Sequence, residues 1–351
     1  MTDRETSHRA STRRATLALA IGGLVVALGA GEAVVRASGN VASWMEKNGF
    51  AYVRQATRFE RLLVRPPNAV LAIQQAEFAF QIRTNREGLR DVDHPLEKES
   101  GELRIAVLGD SFTEGQGAAF EESFPQLLGR QLQADHLDRR VTILQAGSAG
   151  SDPVFETNLL EDRLLAYDPD WILLVLNASD PVDIRQRGGF DRDTVGMPPP
   201  RWEWLYARSH LARFMMIHGL GFDWIGLSPA ESAQRGNAIV PTIREAARRI
   251  ETLAGPDRRL VIVSHPNREE LQEGKNSPEH ARMLEALVAD GHESIDVLPW
   301  LVTALPVEER TSIYWPADGH FTPAGYRLFA EAVHAKLAPA IAASPPVARD
   351  R

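Results

Sequence analysis

From Leu103 onward the chain repeats one pattern, and nothing else in the sequence restricts the fold as much. Short apolar runs alternate with stretches whose apolar residues recur at helical spacing. Arg104–Leu108 reads as a strand ending at Gly109, and Phe124, Leu127, Leu128 and Leu132 follow on one helical face. Val141–Leu144 is a second strand. Asp152-Pro153 then supplies an N-cap and a proline at the first helical position, ahead of Phe155, Leu159, Leu160 and Leu164. Trp171–Leu176 is apolar throughout, which predicts a strand covered on both faces. Leu260–Val263 and Ile295–Leu298 read as the last two strands. Ser277-Pro278 and Thr322-Pro323 open helices that carry Met283, Leu284, Leu287 and Val288, and Leu328, Phe329, Ala332 and Val333. Strands alternating with helices predict a parallel sheet with helices on both faces, and such sheets bind ligands beyond the carboxyl ends of their strands.

Two regions fall outside this rhythm. Residues 184–257 contain Pro198-Pro199-Pro200 and several tryptophans, and end in a helix with Ile243, Ala246, Ala247, Ile250 and Leu253 on one face. Trp202, Trp204 and Trp224 in this stretch suit either buried packing or a sugar-stacking lid. Residues 37–102 read as a stalk or accessory segment, in which Phe78, Phe80 and Ile82 alternate with Ala79, Gln81 and Arg83 as in a strand.

The N-terminus has its own logic. Arg4, Arg9, Arg13 and Arg14 precede an uncharged run from Ala15 to Gly31, which Glu32 and Arg36 end. As a helix that run spans roughly 25 Å, against a hydrocarbon core of ~30 Å. Residues 1–14 therefore read as a cytoplasmic tail and 15–36 as a transmembrane signal-anchor, with the rest of the chain outside the inner membrane. A cleaved signal peptide is the competing reading. A formal net charge of -8 without a dominant basic patch disfavours a nucleic-acid partner. The absence of cysteine excludes thiolate metal sites and cysteine nucleophiles.

The chemistry concentrates in two segments. Val107-Leu108-Gly109-Asp110-Ser111-Phe112-Thr113-Glu114-Gly115 puts a serine just past the carboxyl end of the first strand. A serine hydroxyl is a weak nucleophile until a base takes its proton. Asp318-Gly319-His320-Phe321-Thr322-Pro323 places a histidine in the loop before the last helix, with a carboxylate two residues earlier. A loop can fold that carboxylate onto the imidazole, and triads are defined by geometry rather than chain order. His265, at the end of the fourth strand, faces the same edge and otherwise reads as a loop residue; Glu114 reads as a solvated loop residue.

These segments resemble the SGNH/GDSL hydrolases. Gly109, Asp110, Ser111, Thr113 and Gly115 match the family's first block, and Asp318 and His320 its last, with Asp-x-His in place of the usual Asp-x-x-His. Position 317 is alanine, so the orienting role falls on Asp318 or on nothing. Gly150, in Gln145-Ala146-Gly147-Ser148-Ala149-Gly150, resembles the second block's glycine, whose amide holds the oxyanion beside that of Ser111. The family's third block is an Asn-Asp pair. Here Leu176-Asn177-Ala178-Ser179-Asp180 leaves Ser179 at the family's asparagine position and Asn177 two residues upstream, so either side chain is a candidate oxyanion donor.

The resemblance, over about 103–341, implies an α/β/α sandwich on a flavodoxin-like, mostly parallel five-stranded sheet. It also implies ester or acyl-transfer chemistry without metal or cofactor. The arginine-flanked apolar run, with Asn85-x-x-Gly88-Leu89-Arg90 before the first block, resembles a membrane-anchored bacterial subgroup related to proteins that handle acylated surface polysaccharides. The expectation is a serine esterase or acyltransferase with Ser111, His320 and Asp318 as catalytic residues and Ser111, Gly150, Ser179 and Asn177 around the oxyanion. Its partners would be an acylated small molecule or polysaccharide and the membrane, with a periplasmic or extracellular catalytic domain at 103–341, an insertion at 184–257 and a tail at 342–351. The other class consistent with the altered third block is a catalytically weak carbohydrate-binding or structural protein on the same fold.

Overall fold

In the computed structural model, five of the seven strands among the described residues form a single parallel sheet. The structure describes residues 3–42, 61–135, 139–190, 192, 203–222 and 227–343. In chain order the elements are α1 (Asp3–Ser38), β1 (Val70–Gln74), β2 (Ala79–Arg83), β3 (Leu103–Gly109), α2 (Ser111–Glu114), α3 (Phe124–Asp135), β4 (Val141–Gly147), α4 (Pro153–Asp162), β5 (Trp171–Leu176), α5 (Asp180–Arg187), α6 (Glu203–Arg208), α7 (His210–Phe214), α8 (Pro229–Ala254), β6 (Arg259–Ser264), α9 (Arg268–Glu273), α10 (Pro278–Ala289), β7 (Ser294–Asp296), α11 (Leu298–Ala304) and α12 (Pro323–Ala343).

The sheet order is β4-β3-β5-β6-β7, the flavodoxin-like order that the resemblance implies. Its register pairs Gly109 with Gly147, so the loop after β4 begins beside the turn after β3. Strand alternation divides the core into two layers. Ile105, Val107, Leu173, Val175, Val261 and Val263 pack toward Leu128, Phe329 and Val333. Leu108, Ile172, Leu174 and Ile262 pack on the other side, toward Leu160, Ile243, Ile250 and Leu287. The fifth strand differs from the sequence expectation: it covers Ser294–Asp296, and Leu298 opens α11. Pro299 in the first turn explains the break, because proline fits a helix start and cannot donate to a strand ladder.

Outside this sheet, β1 and β2 form an antiparallel hairpin in the segment read as a stalk. The hairpin belongs with the sheet in one compact unit (58–196 and 233–351); 1–57 and 197–232 form a second. In that second unit α1 is a continuous helix, and Arg13–Ser38 is long and apolar enough to cross a membrane, with none of its apolar window buried. The helix runs on past Glu32, where the sequence suggested that its apolar part ends. The Glu32 carboxylate caps α7, accepting hydrogen bonds from Ser209 Oγ (2.8 Å), His210 N (3.0 Å) and Leu211 N (2.8 Å).

Candidate active site

Gly109 ends β3 in a position that only glycine fits: a Cβ there would lie 2.2 Å from Thr113 Oγ1. The chain turns at once into α2. Asp110 caps this helix through a hydrogen bond from Phe112 N to its Oδ1 (2.9 Å). Ser111 is the first residue of the helix, so its N–H has no acceptor within the helix and faces the end where negative charge is favoured.

The loop before α12 brings His320 to the same edge of the sheet. Ser111 Oγ lies 2.7 Å from His320 Nε2, and His320 Nδ1 lies 2.5 Å from Asp318 Oδ1. With Asp318 ionised, Nδ1 carries the proton and Nε2 accepts from the serine hydroxyl. Asp318 is buried, and its Oδ2 accepts a hydrogen bond from Gln116 Nε2 (3.1 Å). Gln116 is in turn held by the Tyr326 hydroxyl, which donates to its carbonyl (2.9 Å). Nothing in the local sequence singles out Gln116.

A further contact on the Asp318 loop comes from the β1–β2 hairpin. Glu77, in the turn of the hairpin, accepts the backbone N–H groups of Ala317 and Asp318 through one carboxylate oxygen, each at 2.8 Å. Glu77 and Asp318 are 241 positions apart, so no local spacing could reveal the pair.

The second and third blocks converge on Asp110. The Oδ2 of Asp110 accepts from Asn177 Nδ2 (3.0 Å) and Ser179 Oγ (3.2 Å). The Asn177 amide is committed at both ends, because its Oδ1 accepts from Ser179 N (2.7 Å), and the residue is 2% exposed. Ser179 is half-buried and sits before α5. Gly150 stands in the left-handed region at φ 79°, in the loop that follows Gly147. Beneath this network Glu156 and Asp180 are buried without a cation. Burial pushes both carboxyls well above the usual range; the charge of Asp110 adds to it for both, and that of Glu156 for Asp180.

Two sequence readings change. Glu114 is buried rather than solvated: its carboxylate receives both Nε and Nη2 of Arg65, at 2.6 and 2.7 Å. His265 is a core residue rather than a loop residue. It is fully buried, its ring centroid lies 4.4 Å from that of Phe112, and burial lowers its pKa to about 4. This imidazole packs against Phe112, Phe321 and Phe329. Among the described residues no group of three or more His, Asp or Glu side chains is placed to hold a metal ion. Of the three tryptophans, Trp204 is 61% exposed in the other unit, and Trp202 and Trp224 lie outside the described residues.

Another hydrogen-bonded chain has the same order of groups. Ser264 Oγ lies 2.8 Å from His280 Nε2, and His280 Nδ1 lies 3.0 Å from Glu270 Oε1. All three residues are buried, so this chain ties β6, α9 and α10 together and meets no substrate.

Comparison with known proteins gives this geometry its context. Residues 107–328 match the model of the GDSL-like lipase/acylhydrolase family. The fold is similar to that of a lipase/acylhydrolase from Enterococcus faecalis (14% identity, 68% of this chain and 96% of that chain covered, TM-score 0.40). It is also similar to a variant of an acetyl-xylooligosaccharide esterase from Geobacillus Stearmophilus (14% identity, 71% and 97% covered, TM-score 0.41). A third likeness is to a two-domain esterase active on acetylated mannans (17% identity, TM-score 0.44), with 70% of this chain and 52% of that chain covered, so this chain spans about half its length. No curated protein matched the chain. Because the family match takes in most of the chain, and Ser111, Asp318 and His320 with it, this protein belongs to the GDSL-like lipase/acylhydrolase family of ester hydrolases.

Proposed function

We propose that Ser111 is the nucleophile of this esterase, His320 its general base and Asp318 the group that orients the imidazole. The substrate we assign is an ester-linked acyl group, such as O-acetyl, on a saccharide of the cell surface. The observation that carries this reading is the unbroken hydrogen-bond chain from Ser111 Oγ through His320 to Asp318.

In the first half-reaction His320 Nε2 takes the proton of Ser111 as Oγ attacks the ester carbonyl carbon. The charge moves onto the carbonyl oxygen, where the N–H groups of Ser111 and Gly150, with the Ser179 hydroxyl or the Asn177 amide, hold it. Collapse of this intermediate breaks the ester C–O bond, and His320 returns the proton to the departing alcohol. Water or a second hydroxyl then attacks the acyl-enzyme with His320 again as base. The two acceptors give hydrolysis and acyl transfer respectively, so both belong to the reading.

The exposed apolar helix α1, behind its arginines, supports a location at the inner membrane with the catalytic unit outside. Fluorophosphonate labelling of Ser111, beside turnover of an aryl acetate compared with Ser111→Ala, tests the chemistry; no label and no turnover above that control would remove the reading. Sequencing the mature N-terminus tests the anchor, since a start near residue 28–34 means cleavage.

A further inference from the structure

A groove of about 780 Å³ lies along the β1–β2 hairpin, a size within the roughly 300–1,000 Å³ of small-molecule sites. Its walls come from the hairpin, from the segment 117–122 that follows the Ser111 helix, and from Trp315 and Pro323 on either side of the Asp318–His320 loop. Four half-buried aromatic rings line it: Phe78, Phe80, Phe120 and Trp315. The Phe78 and Trp315 rings are 5.2 Å apart and tilted by 45°. Exposed polar side chains, among them Gln81 and Glu121, share the walls with them.

This groove is fastened to the catalytic loop at several points. Trp315 N donates to the carbonyl of His320 (2.8 Å), and Gly319 N donates to the carbonyl of Trp315 (2.8 Å). The Trp315 indole N–H donates to the Gly117 carbonyl (3.2 Å), which fixes the ring against the segment after the serine helix. Glu77, next to Phe78, holds the N–H groups of Ala317 and Asp318. The aromatic platform is therefore tied to the loop that carries Asp318 and His320.

We propose that this groove is the sugar subsite of the esterase, binding pyranose rings of an acylated oligosaccharide against Phe78 and Trp315. A pyranose presents a face of C–H groups, which suits the negative face of an aromatic ring, and an edge of hydroxyls, which needs amide and carboxylate partners. The groove supplies both. A site for a long acyl chain would instead be apolar throughout, since each unpaired polar group facing the chain costs free energy. The proposal rests on the esterase reading above and names the part of the substrate that the triad itself does not touch.

The test measures kcat and KM of the full chain, and of Phe78→Ala, Phe78→Tyr and Phe120→Ala, on chemically O-acetylated cellotetraose and on 4-nitrophenyl acetate. The expected result for Phe78→Ala is a rise in KM for the tetrasaccharide of about tenfold, the scale of one lost ring contact, with kcat/KM for the tetrasaccharide falling about tenfold relative to the aryl acetate. Phe78→Tyr keeps the ring and restores the wild-type ratio, and Phe120→Ala shifts the ratio the same way as Phe78→Ala. If the wild type deacetylates the tetrasaccharide and neither alanine variant changes the ratio, the groove is not the subsite and the esterase reading stands. Turnover of the aryl acetate with none of the tetrasaccharide also overturns the sugar assignment alone. Turnover of neither ester overturns the esterase reading, and the subsite with it.

Discussion

The carboxylate of Glu77 holds the backbone N–H of Asp318 at 2.8 Å, so a residue outside the segment matched by the family model positions the loop of the proposed triad acid. A second bond, from Ala317 N to the same oxygen, makes the contact a clamp on the loop rather than a chance neighbour. Because the acceptor is charged, each of these bonds is stronger than a neutral one.

Removing that clamp should be felt in turnover. For Glu77→Ala we expect kcat to fall about tenfold, the equivalent of ~1.4 kcal/mol, because Asp318 and His320 lose their fixed geometry. Glu77→Gln keeps an acceptor oxygen and should recover most of the loss. Steady-state kinetics on an aryl acetate, with melting temperatures for both variants, check this. Equal kcat in wild type and Glu77→Ala would show that the loop holds itself.

The triad should behave as one unit. Ser111→Ala and His320→Ala should each lower kcat by at least about 10³-fold, and the double variant should be no worse than either. Asp318→Ala should cost less, because that group orients and stabilises the imidazolium without receiving its proton. His265→Asn should retain turnover, since the burial that holds the His265 pKa at about 4 leaves it neutral over the working range. An inactive His265→Asn beside an active His320→Ala would move the base to His265.

Asn177 and Ser179 both donate to Asp110, but their burial separates them. The half-buried Ser179 hydroxyl can rotate toward a developing oxyanion, whereas the Asn177 amide is enclosed and bonded at both ends. We expect Ser179→Ala to lower turnover by up to about 10²-fold with little change in melting temperature. Asn177→Ala should instead cost about 1–3 kcal/mol of stability, because it leaves Ser179 N and one Asp110 oxygen short of partners. Turnover and thermal melts of both variants decide it. A stable but inactive Asn177→Ala would transfer the oxyanion role to Asn177.

The buried Ser264–His280–Glu270 chain sets an acid limit on stability. Burial alone would raise the Glu270 pKa, but His280 and the N–H groups of Ser277 and Asn267 outweigh it and lower the pKa to about 2. An unfolded glutamate titrates near ~4.3. The folded state therefore binds this proton more weakly, and the resulting stability is full above about pH 4.3 and lost as pH falls toward about 2. Glu270→Gln should lower the melting temperature at pH 7 and flatten its fall between those pH values. An unchanged slope in calorimetry would show that Glu270 does not set the acid limit.

Much of this architecture was legible in the sequence because it rests on local rules. Apolar runs such as Trp171–Leu176, set in a strand–helix alternation, read as covered strands, and Asp152-Pro153 and Thr322-Pro323 announced helices by their first-turn chemistry. Ser111 and His320 could be proposed as nucleophile and base because each lies in a short motif at the end of a predicted element. The fifth strand was misplaced at Leu298 because an apolar run of that length suits a strand or a buried helix turn equally.

What only the tertiary structure decided depends on pairs far apart in the chain. Whether Glu114 faced water or Arg65, whether His265 was loop or core, and whether Asn177 or Ser179 was the more enclosed are questions of burial, which spacing does not encode. The same holds for Glu77 and for the ring pair of Phe78 and Trp315, brought together from opposite ends of the catalytic unit. The sequence determined most of the parallel strands, several helix starts and the two motifs that carry Ser111 and His320, since those follow from neighbouring residues. The loop that holds Asp318 and the groove beside it exist only once the hairpin has packed against that loop.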